Sequence, residues 1–198
     1  MALPSRLALA TKNPGKIREI LEICADWPVE WLTADGTDWP EIEETGETYG
    51  DNALLKAGEV ARVLGVPAVA DDSGIEVDAL DGAPGPRSAR FAGEHAGDAE
   101  NLTLLLSRVA DVSDAERTAR YRCAAACAWP DGRTVVAEET CEGIITLRPR
   151  GSGGFGYDPA FVPEGFDRTM AELSPDEKNR ISHRGKALRA LGELLRSS

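Results

Sequence analysis

The sequence is short of the residues on which several classes of protein depend. Only four cysteines and two histidines occur among 198 residues, and aromatic residues make up 6%. Basic residues are also in the minority, with 22 Lys and Arg against 34 Asp and Glu and a formal net charge of -12. Nucleic-acid phosphates are bound through a surplus of Lys and Arg on one face. This charge balance therefore argues against a nucleic-acid partner.

The few cysteines also argue against zinc. Cys24, Cys123, Cys127 and Cys141 show no C-x-x-C spacing and no neighbouring histidine, although structural zinc sites depend on such clusters. Cys123 and Cys127 fall on one face of a predicted strand, about 13 Å apart by strand rise, which is too far for a disulfide. We therefore expect reduced cysteines that fill a core.

Long hydrophobic runs are absent as well. No stretch of eighteen apolar residues occurs, and the first residues lack the features of a signal peptide. We expect a cytoplasmic protein with no membrane partner. A chain of this length can bury roughly 70% of its unfolded surface, so we predict a single domain over residues 1–198.

The pattern of apolar residues alternates between strands and helices, which predicts an α/β protein with a mixed sheet. Strands are predicted at 6–10, 68–72, 75–80, 118–129 and 134–140, with a turn at Ser73-Gly74 and a hairpin at 130–133. Helices are predicted after Lys16, from the N-caps Thr48, Asp98 and Ser174, and over 186–196. Asp51 and Glu177 are predicted to close capping boxes with Thr48 and Ser174, and Gly65 with Pro67 to end the helix that begins at Thr48.

The first candidate binding segment lies between the first strand and the first helix. It consists of Thr11, Lys12, Asn13, Pro14, Gly15 and Lys16. Free backbone N–H groups at a helix start, a hydroxyl and two lysines could surround a phosphate. An ordinary strand-to-helix turn explains the segment about equally well, and the lysines favour phosphate slightly.

Two acidic segments are candidate ligands for Mg²⁺, which prefers carboxylate oxygens and substrate phosphates. One is Glu41–Glu47, which includes Glu43 and would alone be dismissed as a solvated run. The other is Asp71-Asp72, placed at a predicted strand end where two carboxylates need a compensating cation. Between them, Asn52, Lys56 and Glu59 share one helix stripe. A solvent-exposed stripe is the alternative.

Two further segments combine polar and planar groups. Gly153–Asp158 contains Phe155, Gly156, Tyr157 and Asp158, which suit a planar base as well as an ordinary core turn. The stretch 178–186 contains Lys178, His183 and Arg184, which could meet phosphate and the acceptor edge of a base. Cations attracted to a helix C-terminus are the alternative for this stretch.

Taken in order, the segments resemble the inosine triphosphate pyrophosphatase family nearly end to end. The matching motifs are Thr11–Lys16, Glu43–Gly46, Asp51–Ala53, Lys56-Ala57, Ala70–Gly74, Glu76–Asp78, Gly82–Gly85, Ser88–Arg90, Gly154–Pro159, Ala171–Leu173 and Ile181–Gly185. The resemblance implies a two-lobed α/β fold with an elongated mixed sheet flanked by helices, a deep cleft between the lobes, and a homodimer.

The resemblance also implies a reaction and its residues. A non-canonical purine nucleoside triphosphate such as ITP, dITP or XTP would be hydrolysed to the monophosphate and pyrophosphate with Mg²⁺. Thr11–Lys16 would bind the triphosphate, Glu43 and Asp72 the metal, and Asp72 would accept the proton. Ser73, Phe155, Gly156, Tyr157, Asp158, Lys178, His183 and Arg184 would hold the nucleotide.

Physical reasoning agrees with these roles, since such a reaction needs an activated water, charge neutralisation and cations on the leaving group. Lys16, Lys56 and Lys178 suit the last demand, and a donor such as Arg184 or His183 would favour a 6-carbonyl purine. A pyrophosphatase for other modified triphosphates and a non-catalytic nucleotide-binding regulator remain alternatives. Two residues depart from the family pattern, Asp51 in place of a more frequent Glu and Arg87 in place of an aromatic residue.

Overall fold

The computed structural model describes residues 3–197, and it forms six strands and five α-helices within that range. The strands are β1 (Arg6–Leu9), β2 (Glu30–Leu32), β3 (Ala68–Val77), β4 (Thr118–Ala128), β5 (Thr134–Ile145) and β6 (Phe161–Pro163). The helices are α1 (Pro14–Ile23), α2 (Tyr49–Leu64), α3 (Asp98–Arg108), α4 (Pro175–Ile181) and α5 (His183–Ser197). Short 3-10 helices cover Asp78–Leu80, Gly85–Arg90, Asp114–Glu116, Asp158–Ala160 and Met170–Glu172.

The strands form one mixed sheet in the order β2-β1-β3-β4-β5-β6. Strand β1 pairs in parallel with β2 and β3, whereas β5 and β6 are antiparallel. The predicted hairpin between β4 and β5 is closed by the N–H of Trp129, which donates to the carbonyl of Arg133 at 2.9 Å. The predicted mixed α/β class is confirmed.

The chain folds into two compact units. Unit 1 contains residues 1–72, 123–139 and 184–198, and unit 2 contains residues 73–122 and 140–183. Neither unit is a continuous piece of chain, and β3, β4 and β5 each carry residues of both. The single domain over residues 1–198 stays a prediction.

Strand alternation organises the core of unit 1. Leu7 and Leu9 of β1 belong to one hydrophobic cluster with α1 and α5, while Ala8 and Ala10 belong to a second cluster with α2. Successive side chains of a strand point to opposite faces of the sheet, so the two clusters mark those two faces. Cys123 and Cys127 lie in the first cluster, as predicted, and all four cysteines are free and buried.

The core of unit 2 is separate. Its buried residues include Ile75 and Val77 of β3, Leu105 of α3, Tyr121 of β4 and Phe161 of β6. Among these, Tyr121 and Phe161 make an edge-to-face ring contact with 4.8 Å between centroids.

Helix α2 begins and ends as the sequence predicts. Thr48 is its N-cap and forms a capping box with Asp51, and Gly65 ends the helix with a left-handed φ of 66°. Ser174 caps α4 in the same way, with Pro175 in the first turn and Glu177 closing the box. None of the helices within residues 3–197 has the length and apolarity to span a membrane.

Several predicted boundaries were wrong. The expected turn at Ser73-Gly74 is continuous strand, because β3 runs through it and the N–H of Ile75 donates to Ser88 Oγ at 2.9 Å. Gly97 rather than Asp98 caps α3, and its backbone N–H donates to Glu100. Strand β5 extends to Ile145, and α5 begins at His183, three positions before the predicted Lys186.

Candidate active site

The segment Thr11–Lys16 is shaped by hydrogen bonds of its own. The Asn13 side chain accepts from the Lys16 backbone N–H at 3.1 Å and caps α1, and Thr11 Oγ1 accepts from the Asn13 N–H at 3.2 Å. Pro14 and Gly15 form the first turn of the helix, where proline is tolerated because its missing N–H is not needed. The segment is thus a strand-to-helix connection with a helix N-terminus.

Both lysines of this segment contact acceptors within unit 1. Lys12 is exposed, and its Nζ donates to the Trp39 carbonyl at 2.9 Å. Lys16 is half-buried, with its Nζ 3.2 Å from Asp71 Oδ2. Of the two lysines, Lys16 is therefore the one that contacts a carboxylate of β3.

The two adjacent carboxylates of β3 lie on opposite faces of the sheet. Asp71 follows Val69 on the face of α1 and α5, and Asp72 follows Ala70 on the face of α2. The sequence prediction treated them as a repelling pair at a strand end. The strand end was wrong, because β3 continues to Val77. The compensating cations are present, however: Lys16 and Arg184 contact Asp71, and Lys56 contacts Asp72.

Asp71 is the centre of a buried ion cluster. Its Oδ2 lies 3.2 Å from Lys16 Nζ and 3.1 Å from Arg184 Nε. Burial would raise the pKa of Asp71, but Lys16, Arg184 and Lys56 outweigh burial and hold this pKa well below its usual range. The Asp71 carboxylate is therefore ionised at neutral pH.

Arg184 is enclosed by carboxylates. It is 2% exposed, and its Nη1 lies 2.6 Å from Glu19 Oε2 while Nε binds Asp71. Burial alone would lower the pKa of Arg184, but Asp71 and Glu19 raise it further above its usual value. The sequence predicts this guanidinium to be a nucleotide donor, and nothing in the sequence marks Glu19, since a lone glutamate within a helix carries no functional pattern.

Asp72 binds two polar side chains of α2. Its Oδ1 lies 2.9 Å from Lys56 Nζ, and its Oδ2 accepts from Asn52 Nδ2 at 3.3 Å. The shared helix stripe therefore does bring Asn52 and Lys56 to this carboxylate. Glu59, the third member of the stripe, pairs instead with Arg62 at 2.6 Å.

The electrostatics of the Asp72 pair suit proton transfer. Burial raises the pKa of Asp72, Glu44 adds to this effect, and the opposing Lys56 and Lys16 do not cancel it. Burial would lower the pKa of Lys56, but Asp72, Asp71 and Glu44 raise it overall. A charged lysine thus stands beside a carboxylate that is more basic than an ordinary aspartate.

The acidic segment contributes Glu44 to this group. Glu43 and Glu44 are both exposed residues, and the Oε1 of Glu44 lies 3.0 Å from Lys56 Nζ. The N–H of Gly46 donates to Asn52 Oδ1 at 2.8 Å and connects the segment to α2. Asp51, which replaces the longer Glu that is more frequent in the family, accepts from the Thr48 N–H and closes the capping box at the start of α2.

In unit 2, Asp158 and Lys178 form a second buried pair. Lys178 Nζ lies 2.6 Å from Asp158 Oδ2, which also accepts from the Phe155 N–H at 2.9 Å. Lys178 Nζ also stands 5.2 Å from the centre of the half-buried Phe155 ring. Gly154 has a left-handed φ of 69°, and a Cβ there would collide with the Asp158 carboxylate.

The remaining predicted nucleotide residues have different environments within unit 2. The Tyr157 side chain is buried in the core, where its hydroxyl donates to the Ser88 carbonyl at 2.7 Å. Of the two aromatic rings that sequence analysis considered for stacking, this leaves Phe155 as the more accessible. Gly156 donates its N–H to Asp98 at 2.8 Å, and Ser73 is a half-buried residue of β3.

His183 begins α5 and is 5% exposed. Its ring stacks on that of Tyr121, with 4.5 Å between centroids and 5° between planes. Tyr121 carries no motif and is not among the residues that the sequence predicts for the site. Only the observed ring contact could have identified it.

These features define the class of the protein, an α/β fold with a strand-to-helix loop beside a buried cluster of carboxylates and lysines. The sequence model of the Ham1 family matches residues 7–194. This chain belongs to the Ham1 family, and the family expected from the motifs is confirmed.

Individual relatives agree with this assignment. The chain is 53% identical over 195 residues to a dITP/XTP pyrophosphatase of Streptomyces coelicolor, covering 97% of this chain and 98% of that protein. It is 50% identical to a dITP/XTP pyrophosphatase of Geobacillus kaustophilus, covering 94% of this chain and 92% of that protein. The solved structure of a HAM1 protein from Coxiella burnetii matches with a TM-score of 0.88 and 39% identity, covering 98% of this chain and 100% of that one.

Proposed function

We propose that this protein hydrolyses non-canonical purine nucleoside triphosphates, namely ITP, dITP and XTP, to the nucleoside monophosphate and pyrophosphate. Relatives that carry the name dITP/XTP pyrophosphatase and align over nearly the whole chain support this reaction. The structural observation that carries it is Asp72, a buried carboxylate of β3 that is held 2.9 Å from Lys56.

The proposed reaction places water opposite the leaving pyrophosphate. The oxygen of water forms a bond to the α-phosphorus, and the bond from that phosphorus to the oxygen bridging to the β-phosphate breaks. Asp72 accepts the proton of the water, a role that its raised pKa favours because a stronger base takes up a proton more readily. Lys56 and Lys16 would neutralise charge on the triphosphate and on the departing pyrophosphate.

Thr11–Lys16 would bind the phosphates. The segment offers backbone N–H groups at the start of α1 together with the ammonium of Lys16. A helix N-terminus attracts anions because its first N–H groups lack partners within the helix and carry the positive end of the helix dipole. Lys12 would join them by exchanging its contact with the Trp39 carbonyl for phosphate oxygen.

The carboxylates near Lys56 fit Mg²⁺. Asp72 and Glu44 both contact the Lys56 ammonium, so two carboxylates lie close enough together to bind one metal ion. Mg²⁺ is usually held by one or two carboxylates with substrate phosphates, and a site of this kind needs no larger protein cluster. Asp72 with Glu43 or Glu44 would hold it, and Glu44 is favoured by its position. Bound Mg²⁺ would supply charge neutralisation for the triphosphate.

Residues of unit 2 would hold the nucleoside. Phe155 offers an aromatic face, and Lys178 and His183 offer donors that suit a purine 6-carbonyl. Ser73, Gly156, Tyr157 and Asp158 would shape their surroundings, since Tyr157 and Asp158 are already bonded within unit 2. Arg184 would act through Asp71 and Glu19, which occupy its Nε and Nη1.

We further propose a cytoplasmic homodimer, with one domain over residues 1–198 and neither a nucleic-acid nor a membrane partner. The charge balance of the sequence supports the absence of nucleic acid. The homodimer follows from the family resemblance. Light scattering of the purified protein tests it, because a monomer at working concentration would contradict it.

A product assay tests the reaction. The protein is incubated with Mg²⁺ and separately with ITP, dITP, XTP, ATP, GTP, CTP and UTP, and monophosphate, pyrophosphate and orthophosphate are resolved. Monophosphate and pyrophosphate from ITP, dITP and XTP, with little from the others, are expected. Orthophosphate with diphosphate would show attack at the terminal phosphorus and would contradict the role of Asp72.

A further inference from the structure

Tyr121 contacts His183 directly and contacts Asp158, the carboxylate that binds Lys178. It lies on β4, which is an inner strand of the sheet, and its side chain is buried among the apolar residues of unit 2. Most buried residues there are aliphatic and fill space only. Tyr121 differs because its ring and its hydroxyl contact two separate polar side chains.

The ring of Tyr121 defines the plane of the His183 imidazole. The two rings are nearly parallel, with 5° between planes and 4.5 Å between centroids. Phe161 contacts Tyr121 edge-on at 4.8 Å and 63°, so the Tyr121 ring is itself held in place. Because rings at stacking distance prefer such offset arrangements, a tilt of the imidazole would lose this contact.

The hydroxyl of Tyr121 completes the bonding of Asp158. It donates to Asp158 Oδ1 at 3.3 Å, while Oδ2 accepts from Lys178 Nζ at 2.6 Å and from the Phe155 N–H at 2.9 Å. Both carboxylate oxygens are therefore bonded, which fixes the orientation of the carboxylate. Lys178 is 6% exposed and takes its position from this carboxylate.

We propose that Tyr121 is a positioning residue for purine recognition, which orients His183 through its ring and Lys178 through Asp158. This proposal rests on the proposed function, in which His183 and Lys178 hold the base. Tyr121 touches neither substrate nor reacting atoms in this role. Its loss should weaken discrimination between a 6-carbonyl and a 6-amino purine more than it slows the chemical step.

Two substitutions separate the contributions of the ring and the hydroxyl. Tyr121→Phe keeps the stack and removes the hydrogen bond, and we expect KM for ITP to rise about 3- to 10-fold with kcat nearly unchanged, the effect of one ordinary hydrogen bond. Tyr121→Leu removes both contacts. We expect it to lower the ratio of kcat/KM for ITP to that for ATP by about 10-fold or more.

A spectroscopic readout tests the stack without activity. The chain has two histidines, His183 and the exposed His95, so a proton–carbon NMR spectrum of the imidazoles contains two sets of signals. We expect the His183 signals to be shifted upfield by the Tyr121 ring relative to His95. The shift should persist in Tyr121→Phe and disappear in Tyr121→Leu, with His95 unchanged in both.

Leu105→Ala is the control for simple loss of stability. Leu105 is fully buried in the core of unit 2, and its truncation is expected to destabilise the protein without altering the His183 signals or the preference for ITP over ATP. Kinetic effects of Tyr121 variants that merely follow the decrease in Tm, as in Leu105→Ala, would overturn the proposal. Wild-type KM and discrimination in both Tyr121 variants would also overturn it.

The proposed function can fail separately. A wild-type protein that releases no pyrophosphate from ITP would contradict the reaction. The role of Tyr121 would then be measured by calorimetric titration of the same variants with ITP. A Kd raised in both variants would support positioning, and a wild-type Kd in both would overturn it.

Discussion

The carboxylates of the two units are bonded in different ways. In unit 1, Asp72 shares Lys56 with Glu44, so two anionic groups contact one ammonium. In unit 2, Asp158 has Lys178 on one oxygen and the Tyr121 hydroxyl on the other. Both oxygens of each aspartate have a donor, but Lys56 contacts two carboxylates, whose second charge a cation or a proton could balance. The buried pair in unit 2 instead joins one lysine, Lys178, to one carboxylate, Asp158. The first arrangement suits chemistry, and the second suits the fixed orientation of a binding group.

The pKa directions support this distinction within unit 1. Burial raises the pKa of Asp72, while its neighbour Asp71 has a lowered pKa because Lys16, Arg184 and Lys56 outweigh burial. Lys16 and Lys56 lower the pKa of both aspartates, and the two differ because Arg184 adds to this effect at Asp71 whereas Glu44 opposes it at Asp72. Asp71 is therefore ionised at neutral pH, and the raised pKa of Asp72 agrees with its proposed role as the base.

The largest expected effect comes from removing the base in unit 1. Asp72→Asn keeps the shape and an acceptor for Lys56 but abolishes proton acceptance, so we expect kcat for ITP to fall by about 10²- to 10⁴-fold. Nucleotide affinity should remain largely intact. Steady-state kinetics at saturating Mg²⁺ and calorimetric binding of ITP measure the two effects.

The matched control is Asp131→Asn in the hairpin between β4 and β5, where Asp131 is exposed and pairs with Arg133. This variant should keep wild-type kinetics. Wild-type activity in Asp72→Asn would contradict the inference that the carboxylate of unit 1 takes part in the chemistry and that of unit 2 in binding.

Loss of the buried guanidinium should affect stability next. Arg184→Ala leaves Asp71 and Glu19 buried without this cation, so we expect a decrease in the free energy of unfolding of about 3–5 kcal/mol. Because Arg184 is buried, we expect Arg184→Ala to lose stability along with any loss of ITP hydrolysis. Chemical denaturation measures the effect, and Arg62→Ala on the exposed face of α2 is the control. Equal stability of the two variants would contradict a structural role for the cluster.

Lys178→Met tests the ion pair with Asp158 in unit 2. We expect KM for ITP to rise about tenfold with a smaller change in kcat, because this lysine is proposed to hold the nucleotide and not the reacting water. A double-mutant cycle with Asp158→Asn measures the coupling of the pair. A fall in kcat as large as that of Asp72→Asn would place Lys178 in the chemical step and contradict the comparison.

The smallest expected effect concerns an exposed carboxylate of unit 2. Arg168 and the N-cap Ser174 lower the pKa of Glu177 to about 2, so its charged form favours the folded state. Because the folded pKa is depressed, this contribution is present above about pH 4.5 and is lost as the pH falls toward 2. Glu177→Gln should lower Tm at pH 7 by about 1 °C, since exposed pairs contribute little.

Thermal unfolding of wild type and Glu177→Gln between pH 7 and pH 2 measures this difference, which should shrink on the acid side. A difference that grows as the pH falls would have the wrong sign for a depressed pKa.

Local chemistry made part of the fold predictable. The capping boxes at Thr48 and Ser174 and the terminator Gly65 depend on residues within a few positions of each other, and each was correctly predicted. The turn predicted at Ser73-Gly74 is absent, because β3 continues through these residues and the Ile75 N–H donates to the distant Ser88. Local turn propensity contains no information on such a partner.

By itself the sequence determined the family, the mixed α/β class and the helix stripe that brings Asn52 and Lys56 together. These depend on motif order, on hydrophobic period and on spacing along one helix. Only the tertiary structure decided that Asp71 and Asp72 face different cations, that Glu44 rather than Glu43 reaches Lys56, and that Tyr121 stacks on His183. Each of these depends on which distant segment packs against a given face, and that choice results from the burial of the whole core.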